Sequence, residues 1–394
     1  MEDLLLKGIC DGYRAFRGPE IVQFDVTNRC NNNCLCCWNN SPLLGEPSHE
    51  WKQERECELP FDLVRRTIAE LKELGTKKLF FAGGGEPFMH PQFLDILRFA
   101  KECGMQVFMN SNFTLVDEKM AEELVRIKVD LIHVSMLAGS PQSYVLMHPN
   151  KTETAFFRIK EVLQHLAVEK ERTCQSAYPH IDLYYVICNT NYLDIKIMVD
   201  LAMEVKANSL EFTPVDVIPG KTDALLLTEE QRAQVLREVR AQHDRLDAMN
   251  KEHNALITFI EQYDAFVKRL SSTDATGGHY ESSIVTAMPC YVGWAFSRIM
   301  ATGDVVPCLK AHKLKVGNIY RQSFTDIWNG IEQQLFRHKT FALDGTDPYL
   351  KFIGNDPDQA FGCLTACDNI QINKELHDCY GKKLEEYGKI KTTH

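Results

Sequence analysis

Residues 24–38 read Phe24-Asp-Val-Thr-Asn-Arg-Cys30-Asn-Asn-Asn-Cys34-Leu-Cys-Cys37-Trp38, an apolar, strand-like lead running straight into four cysteines. Cys30, Cys34 and Cys37 have the spacing Cys-x3-Cys-x2-Cys, which lets three thiolates of one tight loop converge on a single inorganic centre. An iron-sulfur cluster normally takes four cysteines. Three from one loop leave one iron without a protein ligand, and an open coordination position lets a metal centre bind and activate a further molecule. Cys36 falls outside that spacing and reads as a buried bystander. The cysteines alone also admit a zinc site, or a set of small buried apolar residues. Zinc needs a fourth Cys or His nearby, and the next is His49, twelve residues beyond Cys37.

Composition narrows the setting. A chain of 394 residues has room for one large domain and a smaller one. Its 44% hydrophobic and 10% aromatic content indicates a well-cored globular protein, not a disordered one. No apolar run is long enough to span a bilayer, and the first residues lack a signal peptide's basic region and long apolar stretch, so a cytoplasmic location is expected, without membrane association. In that reducing compartment fourteen cysteines are not a disulfide framework, and the clustered ones suit metal ligation. A net charge of -10 and the lack of any Lys/Arg run longer than two argue against a nucleic-acid partner.

Going outward from the cysteines, periodicity predicts strands at 21–26, 78–82, 106–109, 131–135, 180–187 and 209–212. Helices are predicted at 61–75, 93–103, 117–127, 154–168 and 192–204, with an extended loop over 39–59. Alternation of this kind implies an α/β protein with a parallel sheet wrapped by helices, whose reactive groups sit at the C-terminal strand ends. The cysteine loop and Gly83-Gly-Gly-Glu86-Pro87 follow the first and second strands, so they can face one another. The alternation does not separate a partial barrel from a complete barrel or an open sheet. Beyond it, Thr228-Glu-Glu-Gln231 is a capping-box pattern opening a charged helix to about 250; a second helix is expected over 255–270 and a loop over 271–283.

With its Cys-x3-Cys-x2-Cys loop, the chain resembles the radical S-adenosylmethionine (radical SAM) superfamily. The resemblance implies a partial (β/α)6 TIM-like barrel and a 4Fe-4S cluster held by Cys30, Cys34 and Cys37. The open iron of that cluster chelates S-adenosyl-L-methionine, which is cleaved to a 5'-deoxyadenosyl radical. It also implies cofactor contacts from Gly84-Gly85-Glu86, whose glycines allow close approach to the methionine ammonium, and from Ser111-Asn112, Ser135 and Asn189 at later strand ends. Phe113 and Leu137 stand where relatives carry glycine and aspartate.

The second half carries Cys290, Gly303 and Cys308 as Cys-x12-Gly-x4-Cys, then Val316-Gly-Asn-Ile319, Ser323-Phe-Thr-Asp-Ile-Trp328 and Cys363-x3-Cys367. This resembles the SPASM and twitch extensions of the same superfamily, a small α+β unit of hairpin and helix that binds auxiliary clusters. The full form has seven cysteines; here Cys290, Cys308, Cys363, Cys367 and Cys379 remain, sufficient for one auxiliary 4Fe-4S cluster and not two. The expected ligands are Cys290, Cys308, Cys363 and Cys367, with Cys379 as substitute for Cys363; a four-cysteine zinc ribbon is the competing reading. The expected division is an N-terminal segment (1–19), the barrel (20–220), a helical connector (221–285), the auxiliary-cluster domain (286–380) and a tail (381–394).

These resemblances imply an enzyme whose radical abstracts hydrogen from a substrate carbon, with the auxiliary cluster accepting the remaining electron and a flavodoxin- or ferredoxin-type donor supplying reduction. The expected substrate is carbohydrate-like or an aminocyclitol, oxidised or epimerised, for three reasons. The N-terminal segment is short for a leader-binding domain, Leu309 stands where sulfatase-maturing relatives place an acid, and Ser143-Tyr144 through His148-Pro149 resembles members of polysaccharide pathways. A ribosomal-peptide maturase is the alternative, and a non-catalytic electron carrier or a zinc-stabilised binding protein the more remote ones. Candidate proton acceptors are Glu211, Asp216 and Tyr291.

Overall fold

The computed structural model describes residues 3–46, 49–175, 177–254, 258–278, 280, 285, 287–354, 362–364 and 367–390. β1 (Ile21–Phe24), β2 (Lys78–Phe81), β3 (Gln106–Ser111), β4 (Leu131–Ser135), β5 (His180–Ile187) and β6 (Ser209–Pro214) pair in chain order, each parallel to the last. Helices Phe61–Glu73, Phe93–Glu102, Glu118–Ile127, Glu153–Arg172 and Ile195–Glu204 make the crossovers. Their starts are written locally: Asp117 accepts a hydrogen bond from the Met120 amide at 2.8 Å, as an N-cap should.

Strands of a parallel sheet covered on both faces usually read as continuous apolar runs. Here they alternate. Phe24, Leu79, Met109, Val134, Leu183 and Phe212 are buried on the helix side. Gln23, Asn110, Tyr184, Glu211 and Thr213 line a cavity on the other side. The polar face is therefore the inside of a partial barrel, and the period-two pattern records a cavity rather than bulk solvent.

Three differences from expectation follow from edges and short segments. Residues 255–270 do not form one helix: Ile260–Glu261 is a seventh parallel strand, β7, on the open edge of β6, and the helix is Tyr263–Leu270. The Leu210 amide donates to the Phe259 carbonyl at 3.0 Å, satisfying an edge that would otherwise be unpaired. Residues 255–257 lie outside the described residues, as do 279, 281–284 and 286 in and beside the loop expected over 271–283. The extended loop after the cysteines holds a short helix, His49–Glu54, and Pro141–Met147 adds a helix with a Ser140–Ser143 capping box.

The C-terminal unit is not separate from this sheet. β8 (Phe296–Ile299) pairs parallel to β1, and β9 (Asp304–Val306) and β10 (Gly317–Asn318) continue antiparallel, giving the order β10-β9-β8-β1-β2-β3-β4-β5-β6-β7. The expected hairpin and its following helix, Phe324–Trp328, are present. One continuous sheet thus crosses the expected domain divisions and carries the auxiliary cysteines to the rim of the barrel. Among the described residues, no helix is long and apolar enough to cross a membrane.

Candidate active site

The cysteine loop leaves β1 and folds on itself: the Cys37 amide donates to the Cys34 carbonyl at 3.0 Å. Backbone amides point at sulfur, Asn32 N to Cys30 Sγ at 3.4 Å, and Asn39 N and Asn40 N to Cys37 Sγ at 3.4 and 3.3 Å. Burial pushes the Cys30 thiol up to about 11, and raises Cys34 still more, with Cys36, Cys37 and Cys30 adding repulsion. All are free cysteines. Three converging thiols, with amides directed at two of the sulfurs, form a donor set that would hold a multivalent inorganic centre. Cys36 instead packs with Leu137, Met147 and Cys188.

Neighbouring strand ends brace this loop. The backbone at Gly83–Gly85 leaves no room for side chains: a Cβ would stand 1.9 Å from Asp25 Oδ1 at Gly83, 1.8 Å from Asn28 Oδ1 at Gly84 and 2.1 Å from the Arg29 carbonyl oxygen at Gly85. The space that requires glycine is thus filled by the segment leading into the cysteines. Glu86 is turned inward, accepting from Ser111 Oγ at 2.8 Å, Asn112 N at 2.7 Å and Phe88 N at 3.2 Å. Burial lifts its carboxyl to about 7, against those three donors. Asn112 Nδ2 donates to Asn31 Oδ1 at 2.9 Å, tying β3 to the cysteine loop. Ser135 ends β4 in register with Tyr184. Asn189 is held by the 224–225 turn, its amide N–H on the Leu225 carbonyl at 3.0 Å and its side chain on Ala224.

Between the barrel wall and the C-terminal unit lies a cavity of about 640 Å³. Cys36, Cys37 and Gly84 line it on one side, Cys367 and Asp368 on another, and Tyr184, Glu211 and Arg269 are among the barrel residues that line it. Of the three candidate proton acceptors, Glu211 is the one that lines it. Burial raises Glu211 to about 7, opposed by His133. His133 Nδ1 is 2.9 Å from Asp182 Oδ2, and ligand atoms of His133, Asp182 and Glu211 lie within 4.8 Å of one another. Burial alone would make the imidazole more acidic, but the fully buried Asp182 outweighs this and raises its pKa.

The other two candidates do not line this cavity. Tyr291 is fully buried, its hydroxyl 2.9 Å from His377 Nδ1, and does not line the cavity. Tyr291 caps the start of the short helix Val292–Ala295 and its ring packs against Phe341 and His377. Asp216 is ion-paired with Lys310, and its backbone carbonyl accepts from Trp38 Nε1 at 2.9 Å.

Cys290, Cys308, Cys363 and Cys367 line one small enclosed cavity together with Lys310 and Asp368. Burial raises the Cys308 thiol to about 12, with Cys290 adding repulsion, and Asn373 Nδ2 is 3.9 Å from Cys290 Sγ. Four thiols lining one small cavity, Cys308 buried and the other three half-buried, have the donor set that would hold a fully ligated cluster. Cys379 is exposed on helix Ile370–Glu386 and takes no part in this cavity. The sequence reading did not find His133, Asp182, Arg298 or Lys310, nor Lys151, whose ammonium interacts with the Cys30 and Cys34 thiols. Their signal is tertiary: each is an ordinary strand or loop residue until its partners, far off in sequence, are known.

The fold and the two cysteine sites define a radical SAM enzyme with an auxiliary iron-sulfur unit. The radical SAM superfamily model matches residues 24–202, and the iron-sulfur cluster-binding SPASM domain model matches residues 290–347. These matches place a radical SAM domain and an iron-sulfur cluster-binding domain in the chain, which indicate 4Fe-4S clusters. It is similar to a tungsten-containing aldehyde ferredoxin oxidoreductase cofactor-modifying protein of Pyrococcus furiosus, 22% identical over 340 residues, spanning 81% of this chain and 83% of the relative. It is also similar to a PqqA peptide cyclase of Streptomyces rochei, 24% identical over 322 residues, spanning 80% and 76% of the two chains. Among solved structures, SuiB of Streptococcus suis shares the fold with a TM-score of 0.60 at 14% identity over 91% of this chain and 74% of SuiB. Native anSMEcpe with bound AdoMet also has a TM-score of 0.60, at 15% identity over 94% and 99% of the two chains.

Proposed function

We propose that this enzyme modifies a peptide, abstracting hydrogen from a residue that enters the barrel cavity, and that the modification is oxidative. When bound, S-adenosyl-L-methionine supplies the carbon-centred radical. The single observation that supports the reading is the cavity itself, lined by Cys36–Cys37 of the first cysteine loop and by Cys367–Asp368 of the C-terminal unit. Glu211 on its wall holds or accepts the proton released when a substrate radical loses an electron, and the His133–Asp182 pair beside it sets its charge. Cys30, Cys34 and Cys37 are the proposed ligands of the SAM-binding cluster, and Cys290, Cys308, Cys363 and Cys367 those of the auxiliary one.

The peptide class is favoured over the carbohydrate-like substrate expected from sequence because PqqA peptide cyclases recur among the relatives. The carbohydrate reading gains no support from them. The test is anaerobic reconstitution followed by incubation with S-adenosyl-L-methionine, a low-potential reductant and the precursor-like peptides encoded beside the gene. Formation of 5'-deoxyadenosine together with loss of two hydrogens from a peptide is expected. Cofactor cleavage stimulated by sugars or aminocyclitols and by no peptide defeats the peptide reading; no cleavage under any condition defeats the enzyme reading.

A further inference from the structure

Lys310 lies two residues beyond Cys308, yet its side chain reaches out of the C-terminal unit into the wall of the barrel. It is 5% exposed. Its ammonium pairs with Asp216 from the end of β6, lies 3.8 Å from Asp368 Oδ2, and stands 3.9 Å from the centre of the Trp38 ring. Trp38 directly follows Cys37, and Asp368 directly follows Cys367. One buried cation thus touches a residue adjacent to each proposed cysteine site. It also lines the same enclosed cavity as all four auxiliary cysteines.

Burying an ammonium costs several kcal/mol unless partners repay it. Two carboxylates and an aromatic face do so here. Such an arrangement is more than a surface ion pair. A fixed positive charge beside four thiolates and their irons favours whichever state of that centre carries more electrons. Net charge and local hydrogen bonding are what set the potential of iron-sulfur centres.

We propose that Lys310 is the charge-compensating residue of the auxiliary centre: it raises that centre's reduction potential, making it an acceptor for the electron left on the substrate. This rests on the four-cysteine ligand set proposed above. Lys310 touches no substrate in this scheme; it acts through the centre beside it.

The experiment uses the full-length chain with Cys30, Cys34 and Cys37 replaced by Ala, reconstituted so that the remaining iron reports the auxiliary centre alone. Its potential is measured by dye-mediated titration followed by electron paramagnetic resonance. K310R keeps the charge and retains the potential. K310M and K310Q lower it, with iron content unchanged, by at least a tenfold loss in the reduction equilibrium, about 59 mV for a one-electron couple. A neutral variant with full iron and the parent potential overturns the inference. Two neutral variants that both lose their iron also overturn it, because Lys310 is then needed only to build the site. Absence of iron from the parent triple variant is a different failure: it defeats the ligand set, and the inference with it.

Discussion

Arg298 Nη2 lies 2.6 Å from Asp25 Oδ2, and its Nε lies 3.1 and 3.0 Å from the two carboxylate oxygens. A residue of β8 thereby grips the chain just beyond β1, 273 positions away. Asp25 is 1% exposed, so the carboxylate depends on this fork and on Gln23 Nε2 at 3.1 Å. R298M leaves a buried charge without its cation and is expected to cost about 3–5 kcal/mol of folding stability. D25N/R298M removes both charges and is expected to recover most of that loss. Anaerobic denaturant unfolding of the reconstituted proteins measures both.

The two cysteine sites are predicted to separate cleanly. C34A loses about four irons per chain, one cluster's worth, and all cleavage of S-adenosyl-L-methionine. C363A loses a similar amount of iron and still forms 5'-deoxyadenosine. Iron counts and chromatography of the nucleoside check both; wild-type cleavage by C34A defeats the assignment of the first loop.

Gly85 has the Arg29 carbonyl where a side chain would go, at 2.1 Å from a Cβ. Backbone cannot swing aside as a flexible side chain can, so G85A must displace the cysteine loop. The expected result is loss of iron from the first site with the auxiliary iron retained, read by the same iron count. G104A is the control: nothing lies within 4 Å of a Cβ there, though its φ of +79° adds strain.

Glu211 carries a pH dependence with a defined sign. Its carboxyl is raised to about 7 in the folded chain, from 4.5 when free of the fold. Between those values the folded state keeps a proton that the unfolded state has released, so this group's contribution to stability falls as pH rises from about 4.5 to 7. E211Q removes the burden. Relative to wild type it is expected to be more stable at pH 8 than at pH 5, the difference being on the order of 2 kcal/mol. Urea midpoints at the two pH values measure it. An equal shift at both pH values shows that Glu211 is ionised throughout.

Much of the barrel was legible because strand and helix periods are local. Residues 78–82, 131–135 and 180–187 alternate in twos, and 61–75 in threes and fours, so the elements were found to within a few residues. Short elements were not. β7 has two residues and exists because β6 offers it an edge, while Pro141–Met147 is only seven residues long, too short for a helical period to stand out. Cysteine spacing likewise announced the inorganic chemistry, since thiolates in one loop converge whatever surrounds them.

Direction of side chains across the cavity was another matter. Glu211, Asp216 and Tyr291 looked equivalent as acids or bases near strand ends; only Glu211 lines the cavity, Asp216 is held by Lys310, and Tyr291 turns into the C-terminal core. At the glycine motif, the Cβ positions of Gly83–Gly85 are filled by Asp25, Asn28 and Arg29, contacts that the motif's own residues do not reveal. By itself, then, the sequence determined the strand-helix alternation of a parallel sheet and the Cys-x3-Cys-x2-Cys loop that carries the superfamily resemblance, because these depend on spacing along the chain. Tertiary structure alone decided that β8 docks on β1, that Arg298 closes on Asp25 and that Lys310 bridges the two cysteine sites. Those contacts join segments of independent local pattern, and only the balance of burial against charge pairing brings them together.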